Sequence, residues 1–161
     1  MGMNLHIGGR VRKEGWKVLN IQPGDSVDFI DDISNLDQFP DESCEMVYAS
    51  HVLEHVRQAD VPRTLAGIRR ILAPAGQLLV SVPDWDTLCH LFINPIAAPE
   101  VKWHALRMMM GGQTDEFDFH YVGFNQMILT SFLRDAGFSD VTRVASFGLF
   151  EDTSDYAPYG F

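Results

Sequence analysis

The stretch DVPRTLAGIRRILAPAGQLLVSVPD, residues 60–84, constrains the fold more than any other part of the chain. Its first part has the spacing of an amphipathic helix over 60–76. Leu65, Ile68, Ile71 and Leu72 share one apolar face, Asp60 stands at the cap position, Pro62 in the first turn and Pro74 at the stop. The run that follows, QLLVSV (77–82), has almost no polar alternation, so as a strand it must be covered on both faces. A helix leading into such a strand is the unit of a parallel sheet. Four short β-rich runs precede it: NLHIGG (4–9), WKVLNI (16–21), VDFI (27–30) and EMVYAS (45–50). Beyond Pro83, helices are predicted over 85–92, over 99–110 with an apolar stripe of Val101, Leu106, Met109 and Met110, and over 125–137. A last strand is predicted over 138–147.

The chain has 161 residues, the size of one ordinary domain, and 46% of them are hydrophobic, enough for a packed core. A net charge of −10 repels phosphate backbones and anionic lipid heads, which argues against nucleic acid or membrane partners. Prolines 83, 95 and 99 interrupt the longest apolar runs, and the N-terminus lacks a secretory pattern, so a cytoplasmic protein is expected. Cys44 and Cys89 have no paired spacing, and Cys44 reads as a packed thiol.

His51-x-x-Glu54-His55 has the letters of an inverted zinc-protease signature. On a helix, His51 and His55 would share a face with Glu54 as base. The strand-like EMVYAS directly before it opposes that reading, and leaves Glu54 and His55 as braces of the turn after the fourth strand. No metal site is expected.

Together, EMVYASHVLEHV and RRILAPAGQLLVSVPD resemble the segments D-x-V-x-x-x-x-V-L-E-H and R-x-L-K-P-G-G-x-L-x-I-S-x-P of class I S-adenosylmethionine-dependent methyltransferases of the type 11 kind. RMMMGGQ (107–113), DFHYVGF (118–124), DAGF (135–138) and FGLFEDTS (147–154) are similar to a bacterial subgroup associated with surface-polysaccharide clusters. The resemblance implies a single α/β domain over 1–161 with a Rossmann-like, mostly parallel sheet and flanking helices. Residues 85–124, with Trp85, Trp103 and Arg107, would form a helical insert or lid. It implies S-adenosylmethionine as cofactor, held by Gly8, Gly9, Asn20, Ile21, Asp32 (or Asp31), Ile33, Ser50 and His51. Some O-methyltransferases carry E-x-x-E-H here and bind magnesium; His51 in place of the first Glu disfavours that oxygen-loving ion.

Three departures shape the expectations. Only residues 10–15 join Gly9 to the second strand, too few for a helical crossover, so the first crossover is shortened. The acid that would meet the ribose is replaced by Asn20, with Gln22 close by. The chain stops at Phe161 where a further strand would follow, so the sheet is expected to lack it and to offer an edge to a partner, such as a second copy. The function implied is methyl transfer to a small acceptor, an oxygen or nitrogen nucleophile such as a sugar or polysaccharide precursor. His51 and His120 are candidate bases, followed by Asp84 and Asp118. The alternatives are a non-catalytic binding or assembly module on the same fold and, remotely, a metal-dependent hydrolase.

Overall fold

A computed structural model of the chain describes residues 2–150. Strands β1 (Met3–Ile7), β2 (Trp16–Asn20), β3 (Phe29–Ile30), β4 (Cys44–Ser50) and β5 (Leu72–Ser81) form one sheet in the order β3-β2-β1-β4-β5. Every pairing is parallel. Helices α1 (Val61–Ile71), α2 (Trp85–Ile93), α3 (Pro99–Met110) and α4 (Gln126–Asp135) and two 3-10 turns, Leu53–His55 and Gln58–Asp60, complete the described elements. This is the expected α/β, Rossmann-like arrangement. The strand order reverses between β1 and β4, so a crevice opens at their carboxyl ends.

Strand alternation assigns the two faces. Leu5, Ile7, Leu19, Val47 and Ala49 enter the main core under α1 and α4. The α1 residues Leu65, Ile68 and Ile71 are buried there, each contributing roughly 1.5–3 kcal/mol of hydrophobic stabilisation. Arg70 ties the long β3–β4 connection to this helix through the carbonyls of Leu36 (2.8 Å) and Phe39 (2.9 Å). The other face presents His6, Val18 and Tyr48. No helix lies between β1 and β2, as the short spacing predicts, and Tyr48 meets Phe147 and Phe150 instead (ring centroids 5.7 and 4.9 Å).

Several local expectations are corrected. The helix predicted over 60–76 ends at Ile71, and β5 begins at Leu72. The β4–β5 register jumps from Cys44↔Leu72 to Met46↔Gln77, so the Pro74–Gly76 stretch is a bulge in the strand rather than a helix end. Asp60 stands at the cap position of α1, but its side chain accepts no capping bond. In α3 the inward residues are Val101, Ala105, Met108 and Met109, while Met110 is exposed.

No strand forms over 138–147. The apolar side chains there are drawn apart: Val141 packs on the α1/α4 core, while Phe147 reaches Tyr48 on the opposite face. Arg143 is held by Asp84 at 3.1 Å. A segment passing between faces cannot lie along a sheet edge.

Cys44 is fully buried, and burial raises its thiol pKa, as suits a packed, inert cysteine. Among the described residues, no helix is long and apolar enough to cross a membrane.

Candidate active site

Two left-handed turns lie side by side at the carboxyl ends of the central strands. β1 ends in Gly8 (φ 78°) and β4 leads into His51 (φ 53°). A side chain at Gly8 would run into Val52, so glycine lets the two turns touch. His51 is rare among non-glycine residues in adopting such a backbone, and strain of this kind gathers at functional sites. Its N–H still donates to Ser81 (3.0 Å), which fixes the turn to β5.

A cavity of about 640 Å³ opens beside these turns, within the size range of small-molecule sites. Of the expected cofactor-holding residues and the two candidate histidines, six line it: Gly8, Asn20, Ile21, Asp32, Ile33 and His51. The other three stand behind its wall. Gly9 packs on the His6 ring, and a side chain there would collide with it. The Ser50 hydroxyl bonds the Ser81 hydroxyl at 2.8 Å. His120 sits against Glu54, 4.0 Å from Oε1. Asn20 is buried and its amide is committed on both sides: Nδ2 donates to the Gly9 carbonyl and Oδ1 accepts from Gln22 N, both at 2.9 Å. It therefore braces the shortened loop in which a helix is missing. Asp32 spends one oxygen on Ser34 N (2.7 Å), and Asp31 is turned to Asn35 and Gln38.

Glu54 is the residue whose importance the sequence understates. It lies in the short 3-10 turn Leu53–His55 and is 1% exposed. Its Oε1 lies 3.2 Å from His51 Nδ1. With the proton on Nδ1 facing the carboxylate, His51 Nε2 is left with a lone pair, and this atom is buried with no partner among the described residues. The geometry also corrects the protease reading. A left-handed His51 followed by a 3-10 turn does not place His51 and His55 on one α-helical face.

Segment 111–124 closes the other wall. Thr114, Asp115, Phe117, Asp118 and Tyr121 line the cavity. Backbone bonds hold this segment to the Glu54 turn and to α3: Tyr121 N donates to Glu54 O (2.8 Å) and His120 N to Met110 O (3.2 Å). Gln22 Nε2 reaches Asp115 at 3.3 Å from the β2 side. Gly111 (φ 83°) permits the turn, since a side chain there would strike the Asp118 carbonyl. Burial pushes the His120 pKa below its ordinary value, with Glu54 pulling the other way. Burial opposes ionisation of Asp118, but hydrogen bonds from Thr114 and Gly112 outweigh it and hold its carboxyl below the usual range. Asp84, another candidate base, caps α2 through Asp86 N (3.1 Å) and pairs with Arg143.

Comparison with known proteins bears on the fold. A family profile described as a methyltransferase domain matches residues 11–80. The fold is similar to a SAM-dependent methyltransferase from Archaeoglobus fulgidus (TM-score 0.56, 19% identity, 86% of this chain and 62% of that one). It is similar to a protein designated an O-methyltransferase from Nostoc punctiforme (TM-score 0.54, 17% identity, 86% and 46%). A third similar structure comes from a Haloferax volcanii complex of the Trm112 methyltransferase activator with a protein designated a methyltransferase (TM-score 0.53, 18% identity, 84% and 61%). An uncharacterized 37.1 kDa protein in transposon TN4556 of Streptomyces fradiae is 44% identical over 48 residues, 30% of this chain and 13% of that protein. The chain thus spans less than two thirds of each of these relatives. The profile match covers residues 11–80, and the likeness to the solved SAM-dependent methyltransferases is one of fold: a parallel sheet with its order reversing between β1 and β4.

Proposed function

We propose that this protein transfers a methyl group from S-adenosylmethionine to an oxygen or nitrogen atom of a small acceptor, with His51 as the base. The observation that carries this reading is the His51–Glu54 pair on a strained turn at the rim of the switch-point cavity. The residues fit the cofactor in most respects. Gly8 gives close backbone approach at the end of β1, Ile21 and Ile33 offer apolar contact, and Asp32 offers a carboxylate oxygen. Asn20 contributes by shaping the loop rather than by a free amide.

When bound, the cofactor supplies a methyl group on a positively charged sulfur, already activated for displacement. The chain's task is then alignment, exclusion of water and removal of one proton. His51 Nε2 would take the proton that the acceptor's O–H or N–H gives up on methylation, with S-adenosylhomocysteine as the other product. Glu54 orients the ring and stabilises the imidazolium. His120, the second candidate base, supports Glu54 from behind. Segment 111–124 acts as the lid of the 85–124 insert. Asp32, Asp60, Asp115, Glu116 and Asp118 outnumber Arg10 and Arg57 around the cavity, which favours a neutral or cationic acceptor, a sugar hydroxyl included, over a polyanion. The position of β5 at an edge among the described strands and the exposed Trp103 support a homodimer, which light scattering would detect.

Calorimetry with S-adenosylmethionine and S-adenosylhomocysteine tests the reading. Absence of binding at millimolar ligand would sink it. The helix-free first crossover favours a second reading, a non-catalytic binding module. Cofactor binding without transfer to any acceptor in a panel of sugars, nucleotide sugars and amines would select it.

A further inference from the structure

Glu54, His55 and His120 each present a possible ligand atom, and the three atoms lie within 4.8 Å of one another. Chain order hides this grouping: the first two residues belong to the turn after β4, and the third comes from the lid segment. We infer that these three side chains form a binding site for a divalent transition-metal ion of the Zn²⁺ type.

Three features support the site besides the proximity of its members. Glu54 is almost wholly buried, yet its Oε2 has no hydrogen-bond donor among the described residues. The ion pairs formed by this carboxylate are to His51 and His120 alone among those residues; no lysine or arginine reaches it. A buried carboxylate held this way costs several kcal/mol unless a cation or a proton completes it. Second, His55 Nδ1 lies 3.1 Å from the Phe119 carbonyl. That bond keeps the proton on Nδ1 and leaves Nε2 unprotonated, the arrangement found in metal-bound histidines. Third, the bond from Tyr121 N to Glu54 O fixes the His120 segment against the Glu54 turn before any ion arrives.

Ligand chemistry selects the ion. Two imidazoles and one carboxylate suit zinc, cobalt or ferrous iron, whereas magnesium prefers oxygen throughout. Bond lengths of about 2.0–2.2 Å require the donors to draw together by roughly an ångström, within reach of side-chain rotation. His55 also lines the cavity, so the remaining coordination positions open toward the space beside His51. The expectation of no metal site came from reading His51, Glu54 and His55 alone. His120, not His51, completes the set.

The test uses tag-free, chelator-treated full-length protein without cofactor. Co²⁺ is titrated while its visible absorption is followed, and Zn²⁺ and Mg²⁺ are titrated by calorimetry. The site predicts one Co²⁺ or Zn²⁺ per chain, with Mg²⁺ much weaker. His55→Ala and His120→Ala should each weaken Co²⁺ binding by about 10–100-fold or more, while His90→Ala, on the exposed side of α2, should not change it. Glu54→Gln and His120→Gln replace any alanine variant whose circular dichroism shows it unfolded. Failure of Co²⁺ and Zn²⁺ to bind the folded wild-type protein at a stoichiometry of one overturns the site. So does binding that survives both histidine substitutions. Because cofactor is absent throughout, metal binding without S-adenosylmethionine binding would refute methyl transfer alone, and the converse would refute the metal site alone.

Discussion

Gly8 and Gly15 form a natural experiment on the loop that replaces a helix. Both have left-handed backbones, at φ 78° and 79°. They differ in their surroundings: a Cβ at Gly8 would overlap the Val52 side chain, while a Cβ at Gly15 meets nothing within 4 Å. Gly15→Ala therefore carries the conformational cost alone, about 1–2 kcal/mol, offset in part by a stiffer unfolded chain. Gly8→Ala adds an overpacking cost of roughly 1–3 kcal/mol, because the new Cβ would fall on the Val52 Cγ2 methyl. The total of about 2–5 kcal/mol corresponds to a melting-temperature fall of roughly 4–20 °C for a domain of this size. Urea unfolding of Gly8→Ala, Gly15→Ala, Val52→Ala and the Gly8→Ala/Val52→Ala double variant separates the terms. The double variant should recover at least ~1 kcal/mol relative to additivity, since Val52→Ala removes the overlapping methyl. Equal losses at Gly8 and Gly15, or strict additivity with Val52→Ala, would refute the claim that the two turns touch through glycine.

Asparagine tolerates a left-handed backbone, so His51→Asn removes the proposed base with little added strain; methyl transfer should fall by roughly 10²–10⁴-fold while S-adenosylhomocysteine still binds. His6 is buried against Tyr48 (5.0 Å between centroids), and burial lowers its pKa to about 4. The neutral form is favoured by folding, so the full stability is present above pH ~6.5 and is lost as pH falls toward 4, by about 3 kcal/mol in all; His6→Phe should flatten the urea midpoint between pH 6.5 and 5. Asn125 accepts from Ile128 N at 2.9 Å as the cap of α4, and Asn125→Ala should cost ~1 kcal/mol by thermal denaturation.

What could be read from the sequence followed the distance over which each interaction acts. The β4–turn–α1–β5 stretch was legible because its information is local: a strand, a turn, an amphipathic face with Leu65 and Ile68, and a second strand arrive in order. The missing first crossover helix was legible for the same reason, since residues 10–15 cannot hold one. The strand expected at 138–147 failed because apolar residues specify burial without specifying a partner. Val141 and Phe147 are half-buried against different faces, and a ladder requires an available edge.

The site was half legible on the same principle. Gly8, Asn20, Ile21, Asp32, Ile33 and His51 all sit at strand ends or in the turns that follow, and topology alone brings such positions to one crevice. The role of Glu54 depends instead on how segment 111–124 lies. As a turn residue it reads as a brace; the donation of Tyr121 N to its carbonyl brings His120 to within 4.0 Å of a carboxylate already facing His51. One buried acid then governs two imidazoles, one facing the cavity and one behind it. The proposed base and the proposed metal site share Glu54, so Co²⁺ should change the rate of methyl transfer in wild-type protein but not in His120→Gln.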